Sequence, residues 1–266
     1  MTRFDGKVVI VTGASSGVGE ATARRFAALG AHVVLAARSA EKIEAVAEEI
    51  AGRAVPTDVT SLPDLERLVQ TTLDAHGRID VLVNNAAANQ RGDFDQLDPA
   101  DVATLVDTNL KGPMLLTRLA LPHLKTSRGV VVNVASIAGH VPLPGESAYC
   151  ATKWGLRGFT FAVAEECRES GVGLSVVSPG PIATPFVLDD LENTPDLVFS
   201  QPFLTAEQAA EAVVACAADR KRERAMPAST LALARILGAM PWLQQRLRPM
   251  LEAKGRRAKA EWRAKA

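Results

Sequence analysis

The chain has 266 residues, a formal net charge of zero and an apolar fraction of 47%. That length and composition suffice for one large α/β core, and the even charge gives no overall attraction for nucleic acid. The cysteines Cys150, Cys167 and Cys216 form no C-x-x-C pair and have no histidine cluster around them, so neither a disulfide framework nor a metal site is expected.

The N-terminal stretch has only a short apolar run before a glycine turn. It reads as neither a signal peptide nor a membrane span, and a reducing cytoplasm is the expected compartment. Residues 7–12 (KVVIVT) are a β-branched run of the kind buried on both faces of a parallel sheet. The run ends in Gly13-Ala14-Ser15-Ser16-Gly17-Val18-Gly19, and a helical pattern follows to Leu29, with Gly30 as its stop. Strand, glycine turn and helix in that order suit a dinucleotide: the glycines let backbone approach the pyrophosphate, and the helix N-terminus offers free N–H groups. A plain tight turn is the alternative.

Residues 32–37 (HVVLAA) give a second strand. A carboxylate at its end would hold the ribose hydroxyls of NAD and repel a 2′-phosphate. Here Ala37 is followed by Arg38 and Ser39, so NADP(H) is the preferred cofactor, with NAD(H) as the alternative. A helix over 40–51, a strand over 53–57 leading into Asp58-Val59, a helix over 62–76 capped by Thr60 or Ser61, and a strand over 79–83 opening onto Asn84-Asn85-Ala86-Ala87 come next. This alternation predicts right-handed βαβ units and a doubly wound parallel sheet of Rossmann type, a single domain with helices on both faces. Its ligand belongs beyond the strand C-termini.

A long helix is expected over 99–126, interrupted at Asn109 and Gly112, and a strand over 129–134 delivers Ser136. Tyr149 and Lys153 stand four apart on the opening turns of the next helix, so they share a face. Taken alone, such a pair reads as an ordinary surface pair. Taken with a dinucleotide site, it is chemically useful: an ammonium beside a phenol favours the phenolate and should lower the tyrosine pKa toward neutral. Ser136 is positioned to hydrogen-bond the same substrate oxygen. The helix runs to about Ser170, a strand covers 172–177, and Pro179-Gly180-Pro181-Ile182-Ala183-Thr184 follows.

These residues together resemble the short-chain dehydrogenase/reductase superfamily, over roughly residues 5–227. Gly13-x-x-x-Gly17-x-Gly19, Asp58, Asn84-Asn85-Ala86, Asn109, Ser136, Tyr149-x-x-x-Lys153 and Pro179-Gly180 occur in the family's order. Ala87 departs from the family's usual glycine, and Ser16 stands where some NADP-dependent members carry a basic residue. The resemblance implies that Gly13, Ser15, Gly17, Val18 and Gly19 cradle phosphates, that Arg38 and Ser39 hold the 2′-phosphate, and that Asp58 and Val59 flank adenine. Asn85 and Lys153 would support the nicotinamide ribose beside Tyr149, while Pro179, Gly180, Ile182 and Thr184 hold the carboxamide. Ser136 and Tyr149 would meet the substrate, with Tyr149 as proton donor, and Asn109 would position a water linking Lys153 to solvent. The implied activity is hydride transfer between NADP(H) and the carbonyl or alcohol carbon of a small substrate. An NAD-linked oxidative dehydrogenase and a non-catalytic dinucleotide-binding regulator are the alternatives.

Two apolar stretches bear on the substrate. Val141, Pro142, Leu143 and Pro144 follow Ser136; the loop 182–204, punctuated by Pro185, Pro195 and Pro202, offers Phe186, Val187, Leu188, Leu191, Val198, Phe199, Phe203 and Leu204. They suit an apolar carbonyl or alcohol, and they equally suit lid and core packing. His140 is expected to be hydrogen-bonded or solvent-facing. A helix over 205–218 with Thr205 as its cap, and a short strand over 224–226, complete a domain of residues 1–228. Residues 229–266 form a basic amphipathic extension, from Leu231 and Leu233 to Arg263 and Lys265. Two placements stay open for it: on an anionic membrane surface, or packed against the body or a second subunit. By resemblance, the helices around 105–124 and 154–169 form the interface of a homodimer or homotetramer.

Overall fold

The computed structural model describes residues 4–264; Lys265 of the basic run lies outside them. The strands are β1 (Val8–Thr12), β2 (His32–Ala37), β3 (Arg53–Pro56), β4 (Val81–Asn84), β5 (Val130–Val134), β6 (Gly173–Pro179) and β7 (Glu223–Met226). They pair in the order β3-β2-β1-β4-β5-β6-β7, every pair parallel. The chain leaves β1 toward β2 and returns on its other side with β4, so the order reverses there. A crevice opens at that reversal, outside the strand C-termini.

The helices are α1 (Gly17–Ala28), α2 (Ala40–Glu49), α3 (Leu62–His76), α4 (Pro99–Val106), α5 (Gly112–Ser127), α6 (Ser147–Glu166), α7 (Pro185–Leu188), α8 (Asp196–Phe199), α9 (Ala206–Asp219), α10 (Ala228–Ala239) and α11 (Pro241–Arg263). Because side chains alternate along a strand, one set of β-branched residues faces each layer. Val9, Val11, Val33, Leu35 and Val132 pack with Phe26, Ile43 and Val213 of α1, α2 and α9. Ile10, Val34, Leu82 and Val131 pack with Leu65, Leu68, Leu116 and Leu124 of α3 and α5. The doubly wound single domain read from the alternation of elements is the fold observed.

Local differences have physical causes. Asp80, expected inside a strand, uses its carboxylate to accept from the Val8 N–H and the Lys7 and Arg78 side chains, and β4 begins one residue later. The helix expected over 99–126 is two helices joined by a π-turn, Asp107–Lys111, that carries Asn109. Such bulges re-aim a side chain inside a helix. Thr205 caps α9 as expected, with Gln208 completing a reciprocal capping box.

The extension folds as α10 and α11 and lies against the body. Arg235 of α10 pairs with Glu223 of β7 at 2.7 Å, and α11 runs across α8, where Gly255 lies so close to the Asp196 carbonyl that a Cβ would collide with it. Among the described residues no helix is long and apolar enough to cross a membrane.

Candidate active site

The C-terminal ends of β1 to β6 open into one cavity of about 550 Å³. From the β2 side it is walled by Arg38 and Ser39, then by Asp58 and Val59, Gly13 to Val18, Asn85 to Asn89, Ser136, Tyr149 and Lys153, and finally Pro179 to Thr184. Two of the residues singled out from sequence lie behind the wall. Gly19 is buried where a Cβ would strike the Gly13 carbonyl, so it lets α1 close on the turn. Asn109 is fully buried.

The turn after β1 is built to receive something. Gly13 and Gly17 have φ of +65° and +54°, a region that side-chain-bearing residues rarely adopt. A Cβ on Gly13 would also come within 2.8 Å of the Ala86 backbone. The N-cap of α1, Ser16, makes no side-chain capping bond, so the first N–H groups of the helix face the cavity unsatisfied. Asn85 braces this turn: its amide donates to the carbonyls of Thr12 and Gly13 at 3.0 and 3.3 Å. Asp58 is held by Thr60, whose N–H and hydroxyl both donate to Oδ1, at 2.9 and 2.8 Å. Arg38 is exposed on the cavity wall, and among the described residues it makes no ion pair.

At the other end, Ser136 caps a short turn, its Oγ accepting from the Ala138 N–H at 3.1 Å, and Ser136 and Tyr149 line the cavity together. Tyr149 is 7% exposed and has Phe186 beside it, ring centres 6.0 Å apart. Lys153 is buried, with Nζ donating to the Val134 carbonyl at 3.0 Å and lying 5.4 Å from the Tyr149 ring centre.

The expected pKa lowering of Tyr149 is not what this environment gives. Burial pushes the phenol above its usual value, the Glu146 carboxylate pushes it further, and the Ser136 hydroxyl and Arg91 only partly oppose them. Burial also pushes Lys153 down to about 8. Desolvation outweighs the ammonium because Nζ is directed at a backbone carbonyl and not at the phenol oxygen. The result is a phenol that keeps its proton at neutral pH.

Asn109 stitches the loop after β4. Its Oδ1 accepts from the Ala88 N–H at 2.8 Å, and its Nδ2 donates to the Ala88 carbonyl and to Thr152 Oγ1, at 2.9 and 3.2 Å. His140 is buried, with Nε2 2.9 Å from Glu223 Oε1. The Cys150 thiol, pushed up to about 11 by burial, packs under Val141 and Leu143.

Sequence reasoning missed a group next to Tyr149. Arg91 and Glu146 pair at 3.1 Å, both nearly fully buried. Arg91 also reaches Asp190 at 3.0 Å and the Phe186 carbonyl at 3.2 Å, and Asn89 donates to Glu146 at 3.0 Å. An acid one turn before the tyrosine was a readable signal for Glu146; nothing local marks Arg91.

Of the apolar residues expected at the rim, Val141, Leu143, Phe186, Val187 and Val198 line the cavity. Phe199 and Phe203 instead pack on each other, and Phe203 on Trp262 of α11, with ring centres 5.3 and 4.9 Å apart. Both readings of these stretches therefore hold, for different residues. The extension adds Leu233, Ala234, Leu237, Gln244, Arg248 and Leu251 to the wall.

Residues 7–194 match the family model described as short chain dehydrogenase. A 3-oxoacyl-[acyl-carrier-protein] reductase of Synechocystis is 38% identical over 206 residues, 75% of this chain and 83% of that protein. The crystal structure of a metagenomic short-chain oxidoreductase in complex with NADP is 34% identical with a TM-score of 0.72, covering 84% of this chain and 97% of its own. That of a 3-ketoacyl-(acyl-carrier-protein) reductase from Brucella melitensis, complexed with NADH, has a TM-score of 0.78 at 29% identity with the same coverage. With the family model spanning most of the chain and the same sheet beneath it, this protein belongs to the short-chain dehydrogenase family of oxidoreductases.

Proposed function

We propose that the protein is an NADP(H)-dependent carbonyl reductase or alcohol dehydrogenase acting on an apolar substrate. The observation that carries this reading is one continuous cavity joining Arg38 and the open glycine turn to Ser136, Tyr149 and Lys153. The turn fits a dinucleotide, since its positive-φ glycines and the uncapped start of α1 leave N–H groups for phosphate.

Gly13, Ser15, Gly17 and Val18 would hold the pyrophosphate, with Gly19 behind them. Arg38 and Ser39 would take the 2′-phosphate. Asp58 and Val59 would flank adenine, Asn85 and Lys153 the nicotinamide ribose, and Pro179, Gly180, Ile182 and Thr184 the carboxamide. When bound, the dinucleotide supplies the hydride chemistry. Tyr149, protonated at neutral pH, gives its proton to the substrate oxygen, while the Ser136 hydroxyl hydrogen-bonds that same oxygen and orients it. Lys153 keeps a positive charge beside the phenol as negative charge develops there. Asn109 acts one layer back by fixing Ala88 on the cavity wall.

The test is absorbance at about 340 nm, where reduced nicotinamide absorbs, with NADPH and NADH offered separately to a panel of apolar ketones and aldehydes. Selective NADPH oxidation supports the reading. The NADH complex of the Brucella neighbour favours NAD as the second reading, and tighter NADH binding with faster NADH turnover would replace NADP here. A homodimer or homotetramer is part of the same proposal: Met114 and Trp154, on the faces of α5 and α6, are 40% and 44% exposed, and light scattering of the purified protein reads the assembly. For membrane contact, the remaining argument is that Ile236, Met240, Trp242 and Met250 of the extension are exposed among basic side chains. Equal sedimentation with neutral and anionic liposomes would remove it.

A further inference from the structure

We infer that the C-terminal extension is the specificity wall of the substrate chamber, selecting a neutral carbonyl compound with an elongated apolar tail that lies against Leu233, Leu237 and Leu251. The inference rests on the carbonyl-reductase reading above and names the substrate class for that site.

The wall is built into the body, not laid over it. Ala234 and Leu237 of α10 are buried with Val141, and Ile137, Leu143, Leu243 and Leu247 pack around them. Gln244 of α11 donates to the Pro142 carbonyl at 2.6 Å. The extension is thus sewn to the loop that starts at Ser136. On its far side it is fixed to the loop that carries α7 and α8. Lys259 is buried there, its Nζ donating to the carbonyls of Glu192 and Thr194 at 2.9 and 2.7 Å, and Arg263 pairs with Glu192. Two segments of the substrate chamber are therefore tied together by α10 and α11.

The chemistry of the wall identifies the tail. The extension contributes four apolar side chains to the cavity and two polar ones, Gln244 and Arg248. The Gln244 amide is already engaged with Pro142, and Arg248 is neutralised by Glu252 one turn on, at 2.6 Å. Among the described residues no unpaired charge is left on this wall for a carboxylate or phosphate, so an uncharged hydrocarbon tail is the matching occupant. Each additional buried methylene is worth roughly a fourfold gain in affinity.

The test uses the full-length protein with NADPH and methyl ketones of about four to twelve carbons, a range over which the methylene increment accumulates. We expect kcat/KM to climb with chain length. Leu233→Trp and Leu251→Trp, both at partly exposed positions that tolerate a larger side chain, should cut the long-to-short ratio of kcat/KM by about tenfold or more. Trp242→Ala, on α11 but off the cavity, should leave the ratio in place. An unchanged ratio in both tryptophan variants overturns the inference. Displacement of a bound apolar fluorophore from the NADPH-loaded protein by the same ketones separates this from the activity. Graded displacement lost in the variants, without NADPH oxidation, keeps the wall and sinks the reductase reading. Turnover and displacement both indifferent to chain length sink the wall and keep the reductase.

Discussion

Arg91 and Glu146 form an ion pair at 3.1 Å with 4% and 5% of their side chains exposed, Glu146 lying one helical turn ahead of Tyr149. The pair binds the loop after β4 to the start of α6, and Arg91 adds Asp190 and the Phe186 carbonyl from the 182–204 loop. One guanidinium thus joins the charge beside the tyrosine to the 182–204 loop.

Removing either partner should move the tyrosine in opposite directions. Glu146 raises the Tyr149 pKa and Arg91 lowers it. On the proposed mechanism alcohol oxidation would need the phenolate, so its rate should climb with pH. Arg91→Ala should shift that limb to higher pH and raise KM several-fold by freeing the 182–204 loop; Glu146→Gln should shift it to lower pH. Coincident pH profiles for the two variants would show that the pair has no electrostatic hold on Tyr149. Arg91→Ala also leaves a buried carboxylate without its cation, at a stability cost on the order of 3 kcal/mol, read by urea unfolding.

Lys153 is buried at a desolvation cost to folding. Burial holds its pKa at about 8, below the ordinary lysine value near 10.5. Between those values the unfolded chain binds more protons than the folded one, so wild-type stability should rise with pH across that window. The shift corresponds to roughly 3 kcal/mol at neutral pH. Lys153→Met should abolish turnover yet leave Tm at or above the wild-type value at pH 7, with the difference shrinking toward pH 10. A lower Tm at pH 7 would mean that the bond to the Val134 carbonyl outweighs the desolvation.

Glu223 works with the opposite sign. Although burial disfavours its charge, hydrogen bonds from His140 and Arg157 hold the carboxyl well below the usual range, and Arg235 reaches it at 2.7 Å. Its contribution is present above the unfolded carboxylate pKa and is lost as pH falls through the folded one. Glu223→Gln should lower Tm by several degrees at pH 7 and flatten the acid limb of the stability curve. Because β7, α6, α10 and the His140 loop meet at this group, the KM for long apolar substrates should rise as well.

On the proposed reading Arg38 should set the choice of dinucleotide. Arg38→Asp should weaken NADPH by about tenfold or more while NADH binding holds or improves, since the change removes a phosphate partner and supplies a ribose one. Equal losses for both dinucleotides in titrations would remove Arg38 from the 2′-phosphate role.

The sheet and the ends of its strands were legible because each signal is local. A β-branched run followed by glycine, Asn-Asn or serine states both the strand and the group it delivers, and the parallel order brings Gly13, Asn85, Ser136 and Pro179 to one rim. What escaped depends on distance and burial. Arg91 and Glu146 are far apart in sequence, and no motif links them. The direction of the Tyr149 shift follows from desolvation, which a Tyr-x-x-x-Lys spacing does not reveal. The π-turn that buries Asn109 looks in sequence like any helix. For residues 229–266, amphipathicity gave a helix but not its partner; Gly255 and Lys259 acquire meaning only against the Asp196 and Thr194 carbonyls.

The most direct measurement compares wild type and Tyr149→Phe for NADPH binding, by nicotinamide fluorescence, and for ketone-dependent NADPH oxidation. The account predicts that the variant binds NADPH within a few-fold of wild type and loses at least about 10²-fold in turnover, the size of a lost proton transfer. Undiminished turnover in Tyr149→Phe would contradict it.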